Sequence, residues 1–181
     1  MSYYELTVAG VTRHLPIVQV APSLKIASFV ILGDCELVTA CARELAEKLP
    51  PVDYIVTVEA KGIPLVNEMC RLLDMPYYIV ARKSIKPYME DPFTDEARSI
   101  TTQKVQTLCL DGKDALLLDK KRVAIVDDVF STGQSLLAIE RLIEKAGAQV
   151  VAKAAILAEG QAMDRDDIIY LEKLPLFEGD E

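Results

Sequence analysis

The sequence is poor in the residues from which metal and redox sites are usually built. It has no tryptophan, one histidine (His14) and four cysteines, Cys35, Cys41, Cys70 and Cys109, with no CxxC pair among them. Structural zinc sites take paired cysteine and histidine ligands, so this composition argues against a structural zinc site. We expect four reduced, buried thiols, as in a cytosolic protein.

Long apolar runs and an excess of positive charge are also missing. The longest apolar run, Ile26 to Leu32, is far shorter than the roughly 20 residues of a membrane-spanning helix. The polar, acidic start Met1 to Glu5 does not resemble a secretory signal. A net charge of −8 argues against sequence-independent binding to nucleic acid. These absences predict a cytoplasmic protein with no membrane and no nucleic-acid partner.

What the chain does contain is an alternation of strand and helix patterns, within 181 residues that suit one domain (1–181). Such alternation predicts an α/β fold, a twisted and mostly parallel sheet with helices on both faces. A polar, proline-containing stretch from Arg82 to Thr102 is expected to be a long loop. The other expected elements are a hairpin (Tyr4 to Val8 and Arg13 to Val20), helices from Asp34 to Leu49, Ile63 to Leu73 and Thr132 to Ala146, and strands Tyr54 to Val58, Pro76 to Ala81, Val123 to Val126 and Val150 to Leu157.

The segment from Arg122 to Leu137, RVAIVDDVFSTGQSLL, carries the strongest functional signal. Its apolar start is typical of a buried parallel strand, and Asp127 and Asp128 follow at the carboxyl end, where open α/β sheets bind ligands. Ser-Thr-Gly-Gln-Ser then leads into a helix, and a helix N-terminus is a natural anion site. The sequence has neither GxxxxGK nor GxGxxG, so a P-loop or dinucleotide fold lacks its phosphate-binding part. Carboxylates beside a phosphate-binding turn suit a sugar phosphate.

Four apolar residues, two acids, two variable residues and a Thr-Gly turn resemble the signature of the type I phosphoribosyltransferases, which bind 5-phosphoribosyl 1-pyrophosphate (PRPP). The resemblance implies that family's fold, with a small hood built from residues 1–33 and the C-terminal tail. It also implies that Asp127 and Asp128 are catalytic residues that hold the ribose hydroxyls. The PRPP 5-phosphate would bind Ser131, Thr132, Gly133, Gln134 and Ser135, with Gln134 in the place of a more usual glycine.

Two further segments resemble the family's pyrophosphate-binding parts. Glu59, Ala60, Lys61 and Gly62 follow the first core strand, where the family has a short loop that presents backbone N–H groups. The segment Ala81 to Pro87, ARKSIKP, is similar to the basic segment after the next strand in adenine phosphoribosyltransferases. The resemblance implies that this loop, with Arg82 and Lys86, receives pyrophosphate.

The remaining candidates concern the reaction centre and the base. Residues 99–104 correspond to the loop that closes over the site in this family, and Lys104 is its catalytic candidate, since no acid stands near Thr101. Phe29 lies where the hood covers the base and is a candidate for stacking on a purine. The tail from Leu174 to Phe177 resembles the Leu-Pro-Leu-Phe ending of adenine-type enzymes.

Taken together, the resemblance implies a purine phosphoribosyltransferase of purine salvage, with adenine and PRPP giving AMP and pyrophosphate. It implies Mg²⁺ carried mainly by PRPP and not held by the protein alone, and a homodimer. Xanthine or hypoxanthine/guanine is the alternative base. A further alternative is a non-catalytic PRPP sensor, because Ile55 to Leu65 also resembles a loop of purine-repressor regulators.

Overall fold

The computed structural model describes residues 2–98 and 105–179. Its helices are α1 (Cys35–Lys48), α2 (Gly62–Leu72), α3 (Gly112–Leu118) and α4 (Gln134–Lys145), and a 3-10 turn covers Gly160–Asp164. Its strands are β1 (Tyr3–Val8), β2 (Val11–Ala21), β3 (Leu24–Ala27), β4 (Tyr54–Val58), β5 (Ile79–Ala81), β6 (Phe93–Arg98), β7 (Val105–Leu110), β8 (Arg122–Phe130), β9 (Gln149–Glu159), β10 (Ile169–Leu174) and β11 (Leu176–Glu178).

A five-stranded parallel sheet in the order β10-β9-β8-β4-β5 forms the centre of the molecule. Side chains of β8 alternate between its two faces. Ala124 and Val126 belong to the apolar core with α1 and α2, whereas Val123 and Ile125 belong to the core with α3 and α4. Because successive side chains of a strand point to opposite faces, both faces of the sheet are covered by helices. The predicted fold class is confirmed.

The parallel arrangement brings the carboxyl ends of all five strands to one edge of the central sheet. These ends are Val58 of β4, Ala81 of β5, Phe130 of β8, Glu159 of β9 and Leu174 of β10. The segments that leave this edge therefore meet each other, although they lie far apart in the sequence. Ligands of open α/β sheets bind at such an edge.

A second sheet, which we call the hood sheet, has the antiparallel order β1-β2-β3-β11. The predicted hairpin is confirmed, and its turn places Ala9 and Gly10 at positive φ, as hairpin turns require. The C-terminal strand closes the sheet, since Leu176 pairs with Ile26 of β3. The ring of Phe177 contacts the ring of Tyr4 edge to face, with centroids 5.8 Å apart.

The expectation of an irregular loop from Arg82 to Thr102 is wrong in part. Residues Phe93–Arg98 form β6, which pairs antiparallel with β7 from Phe93↔Leu110 to Arg98↔Val105. The sequence FTDEAR lacks the apolar alternation that would predict a strand. The hairpin is stabilised by contacts with another element, α4. Arg141 of α4 donates to the Asp95 carboxylate at 2.8 Å.

Two core strands are longer than predicted. The strand expected to stop at Val126 continues to Phe130, so that Asp127 and Asp128 lie within β8. The strand expected to stop at Leu157 continues to Glu159. Both extensions are paired with neighbouring strands, and such pairing partners are invisible in the local sequence.

The four cysteines differ in their exposure to solvent. Cys41, Cys70 and Cys109 are buried, whereas Cys35 is exposed, contrary to the expectation of four buried thiols. Burial raises the pKa of the Cys41 thiol to about 12 and that of Cys70 to about 11, which keeps both protonated.

Within residues 2–98 and 105–179, every helix is too short or too polar to cross a bilayer.

Candidate active site

A cavity of about 680 Å³ lies between the carboxyl edge of the central sheet and the hood sheet. It is lined by segments that follow β3, β4 and β8 and by the end of β9. Among the predicted site residues, those that line it are Phe29, Glu59, Ala60, Lys61, Asp127, Asp128, Ser131, Thr132, Gly133 and Ser135. The fold thus gathers residues from distant parts of the sequence around one space.

The two aspartates of β8 point to opposite sides of the strand and have different surroundings. Asp128 is 3% exposed. Asp127 accepts a hydrogen bond at its Oδ1 from the backbone N–H of Asp128, at 2.8 Å. Burial, and then the negative charge of Asp128, raise the pKa of the Asp127 carboxyl. The pair therefore brings closely spaced carboxylates to the cavity at some electrostatic cost.

Lys61 connects the loop after β4 to these acids. Its Nζ lies 2.9 Å from Oδ2 of Asp128, and the lysine side chain is 45% exposed. Charge pairing compensates for burying the Asp128 carboxylate. Two segments that were assigned to opposite ends of one substrate are thus joined by an ion pair.

The loop after β4 approaches β8 closely because residue 62 has no side chain. A Cβ on Gly62 would overlap Oγ1 of Thr57 and come within 2.9 Å of Oδ1 of Asp127. The Glu59–Ala60 peptide bond of this loop is cis. Gly62 begins α2, and its lack of a side chain lets the loop pack closely against Thr57 and Asp127.

Four of the predicted residues that the structure describes do not line the cavity: Gly62, Arg82, Lys86 and Gln134. Arg82 donates from Nε to the Glu59 carboxylate at 2.7 Å, and the backbone N–H of Lys83 donates to the same carboxylate. Lys86 contacts the hydroxyl of Ser84 through Nζ. Burial disfavours the charged form of Glu59, but the hydrogen bonds from Lys83 and Arg82 outweigh it and lower its pKa.

The predicted phosphate loop, residues 131–135, leads from β8 into α4. Gly133 has φ of +79°, the left-handed region that favours glycine. The first N–H groups of an α-helix have no partner within the helix, so this loop presents donors to an anion. Gln134 is the first residue of α4 and does not line the cavity, unlike its neighbours.

Two charged cavity residues were not among the predicted site residues. Glu159 ends β9, and Lys83, next to Arg82, lines the cavity where Lys86 was expected. Burial raises the pKa of Glu159, while the charge of Lys61 lowers it. The signal for Glu159 was an acid after an apolar strand, ILAE, but the strand was expected to end earlier. Lys104 lies outside the described residues.

The family model of the phosphoribosyl transferase domain matches residues 36–174. A hypoxanthine/guanine phosphoribosyltransferase of Methanotorris igneus is 37% identical over 61% of this chain, and the match spans 56% of that relative. The same-named enzyme of Methanococcus voltae is 31% identical over 77% of this chain and 71% of its own. A xanthine phosphoribosyltransferase of Exiguobacterium is 26% identical over 75% of this chain and 70% of its own.

Solved structures with a similar fold carry a different name. Adenine phosphoribosyltransferase of Thermoanaerobacter pseudethanolicus superposes with a TM-score of 0.67 at 27% identity, over 79% of this chain and 84% of the other. The adenine phosphoribosyltransferase of Rhodothermus marinus gives a TM-score of 0.71 at 22% identity, over 88% and 94%. The second of these matches bears on the fold alone.

Proposed function

Because the chain belongs to the phosphoribosyltransferase family, a family of group-transfer enzymes, we propose that it transfers the 5-phosphoribosyl group of PRPP to a purine base. The observation that carries this proposal is the shared cavity of the two acids, the phosphate loop and the loop after β4. PRPP is a ribose 5-phosphate with a pyrophosphate group at C1. Its hydroxyls suit the two acids, its 5-phosphate suits the phosphate loop, and its pyrophosphate suits the loop after β4. The non-catalytic sensor is less favoured, since the relatives above are named as enzymes.

The ribose 5-phosphate end of PRPP would occupy the segment from β8 to α4. Ser131, Thr132 and Ser135 supply hydroxyls, and the start of α4 supplies backbone N–H groups to the 5-phosphate. Asp127 and Asp128 would accept hydrogen bonds from the ribose hydroxyls. Gln134, which begins α4 away from the cavity, would contribute its backbone N–H and not its amide.

The pyrophosphate end would occupy the loop of residues 59–62. Lys61 and Lys83 line the cavity and supply positive charge, and Arg82 would join them once its pairing with Glu59 is exchanged for a phosphate. Arginine forms planar, two-point contacts with phosphate, whereas lysine acts as a compact charge. Lys86 would act at longer range.

In the reaction, a ring nitrogen of the base forms a bond to C1 of the ribose as the bond from C1 to the pyrophosphate oxygen breaks. The base gives up the proton of its ring N–H to the departing pyrophosphate or to water, and the electron pair of the broken bond leaves with pyrophosphate. C1 gains positive character in between, and the carboxylates of β8 can stabilise that charge. The loops hold both reactants in line, which lowers the entropic part of the barrier.

Magnesium is the cation that the family resemblance implies. The donor set at the cavity suits it, because Asp127 and Asp128 offer carboxylate oxygens and Mg²⁺ retains waters and substrate phosphates. Lys61 already neutralises one of these acids, so the site favours an ion that enters with PRPP. When bound, the ion would neutralise the leaving pyrophosphate.

For the base we propose adenine, with guanine or hypoxanthine as the second candidate. Adenine is supported by the 27% identical structural neighbour and by the ending from Leu174 to Phe177, whose strand β11 closes the hood sheet. The second candidate is supported by the names of the relatives that are 37% and 31% identical. Phe29 lines the cavity beneath the hood sheet, and we retain it as a stacking residue.

The test is pyrophosphate release with PRPP, Mg²⁺ and each of adenine, guanine, hypoxanthine and xanthine in turn. We expect turnover with adenine and a loss of at least about tenfold in kcat/KM for PRPP in Asp128→Asn, since a buried hydrogen bond to a charged group is lost. PRPP binding without turnover of any base would overturn the transferase and favour the sensor. Unchanged kinetics in Asp128→Asn would overturn the role of this acid.

A further inference from the structure

Glu159 is a cavity acid to which the proposed reaction gives no role. It ends β9, is partly buried, and faces the same space as the acids of β8. Hydrogen bonds and ion pairs are described for Asp127, Asp128 and Glu59, but none for the Glu159 side chain within the part of the chain that the structure describes. The charge of Lys61 acts on this carboxylate, but its oxygens accept no hydrogen bond from residues 2–98 and 105–179, so a donor in the cavity can reach them.

The order of the strands tells which part of a substrate Glu159 would meet. Along the carboxyl edge the order is β10, β9, β8, β4 and β5. The ribose acids lie on β8, and the pyrophosphate loop follows β4 on one side of them. Glu159 of β9 therefore lies on the other side. Since the incoming base and the leaving pyrophosphate occupy opposite faces of C1 in a displacement, the side of β9 is the side of the base.

The surroundings of Glu159 support this placement. Its register partner on β10 is Leu174, which is two residues before Leu176, the partner of Ile26 in the hood sheet. Leu174, Ser28 and Phe29 line the same cavity as Glu159. An apolar wall with one acid is a typical arrangement for orienting a flat heterocycle.

We infer that the Glu159 carboxylate accepts a hydrogen bond from the exocyclic amino group of the purine and thereby selects aminopurines over oxopurines; this rests on the proposed function. A carboxylate only accepts hydrogen bonds, so an amino group satisfies it and a carbonyl oxygen in the same place repels it. Sites with a buried polar group discriminate strongly against a ligand that leaves it unpaired. The amino group is the 6-amino group of adenine or the 2-amino group of guanine.

Two pairs of bases separate these cases. Adenine and hypoxanthine differ at position 6, and guanine and xanthine differ at position 2, so each pair reports on one amino group. We compare the wild type with Glu159→Gln, whose amide can both donate and accept. Glu172→Gln is the control, since Glu172 is an exposed acid on β10 away from the cavity. Thermal melting and KM for PRPP check that each variant is folded.

We expect the amino-to-oxo ratio of kcat/KM to fall about tenfold or more in one pair for Glu159→Gln, and to stay unchanged for Glu172→Gln. The pair that responds identifies the amino group. Equal ratios in the wild type and Glu159→Gln, for both pairs, would overturn the inference. If Glu159→Gln does not fold, Glu159→Asp withdraws the charge by one methylene and is expected to reduce the same ratio.

A binding measurement separates this inference from the proposed function. Calorimetric affinities for AMP against IMP, and for GMP against XMP, require no turnover. If the wild type turns over no base but prefers AMP or GMP, and Glu159→Gln has lost that preference, the proposed transferase activity is overturned and the role of Glu159 stands. If the wild type turns over a base and both proteins have the same nucleotide preferences, the transferase activity stands and the role of Glu159 is overturned.

Discussion

The ammonium group of Lys61 lies 2.9 Å from the carboxylate of Asp128, and this contact joins the loop after β4 to the strand that carries the ribose acids. In the proposed reaction the two residues serve opposite ends of PRPP. Substrate binding must therefore exchange one ion pair for two new contacts, Lys61 with pyrophosphate and Asp128 with a ribose hydroxyl. Lys61 thus compensates the charge of a buried carboxylate at the centre of the proposed site.

Lys61→Met should lower the free energy of unfolding at neutral pH by about 1–3 kcal/mol, because it leaves the Asp128 carboxylate buried without its counter-ion. It should also weaken PRPP binding. Urea denaturation and calorimetry with PRPP measure the two effects. The matched control is Lys113→Met, which removes the partner of another buried aspartate, Asp111, that also accepts backbone hydrogen bonds. A loss of stability or PRPP affinity in the control that equals that of Lys61→Met would contradict this account.

Asp127→Asn should make the protein more stable at alkaline pH while weakening PRPP use. The pKa of Asp127 is raised, so the folded protein binds this proton more tightly than the unfolded chain. Stability then falls as the pH rises from the unfolded pKa, about 3.9, through the raised native value. Asparagine has no charge to bury, and its Oδ1 can still accept from the N–H of residue 128.

Urea denaturation at several pH values from about 4 to 9 measures this difference. The advantage of Asp127→Asn over the wild type should be small at the acid end and should grow with pH. Asp166→Asn, at an exposed position, is the control. A difference between Asp127→Asn and the wild type that is the same at every pH would refute the assignment of a buried, charge-repelled carboxyl.

Glu59→Gln should give the opposite pH dependence. The pKa of Glu59 is lowered, so its contribution to stability is present above the unfolded pKa, about 4.3, and is lost as the pH falls through the lower native value. We expect Glu59→Gln to cost about 1–2 kcal/mol at neutral pH, because the acceptor loses its charge and the amide has only one oxygen for the two donors, Arg82 and Lys83, and to cost little at low pH. Thermal melts across pH 2 to 8 measure it, and an equal cost at both ends would count against the ion pair.

Gly62→Ala should both destabilise the protein and raise KM for PRPP. The added methyl group would meet Thr57 and Asp127, and overpacking of this kind costs about 1–3 kcal/mol. The control is Gly10→Ala at the turn between β1 and β2, where nothing lies near the added atom but φ is +75°. The control should lose stability without a change in KM. Equal KM values for PRPP in Gly62→Ala and the wild type would show that this loop does not hold the substrate.

The best-predicted part of the site is contiguous in sequence. Asp127, Asp128 and the loop to Ser135 belong to a single strand–turn–helix unit, whose local pattern contains both the geometry and the chemistry. The loop at Gly62 was predictable for the same reason. Neighbours along the chain stay neighbours in the fold, so their arrangement needs no knowledge of distant contacts.

The sequence could not predict the positions of Glu159 and Lys83 or the strand Phe93–Arg98, because all three depend on contacts between distant parts of the chain. The end of β9 is set by its pairing with β8 and β10, and β6 is held by β7 and by Arg141. These partners lie far away in the chain, and strand formation depends more on such partners than on intrinsic preference. The position of Lys83 likewise depends on a distant residue, since its backbone N–H donates to the carboxylate of Glu59.

The pairing of β11 with β3 has a consequence for the order in which the site is built. During synthesis the acids, the phosphate loop and the loop after β4 have all left the ribosome well before β11 has. Because domains generally fold as units, the cavity is expected to form only once β11 can join the hood sheet. The hood sheet lacks its closing strand until residues 176–178 are added. The donor-binding residues are thus synthesised early, yet the finished site depends on the last strand of the hood sheet.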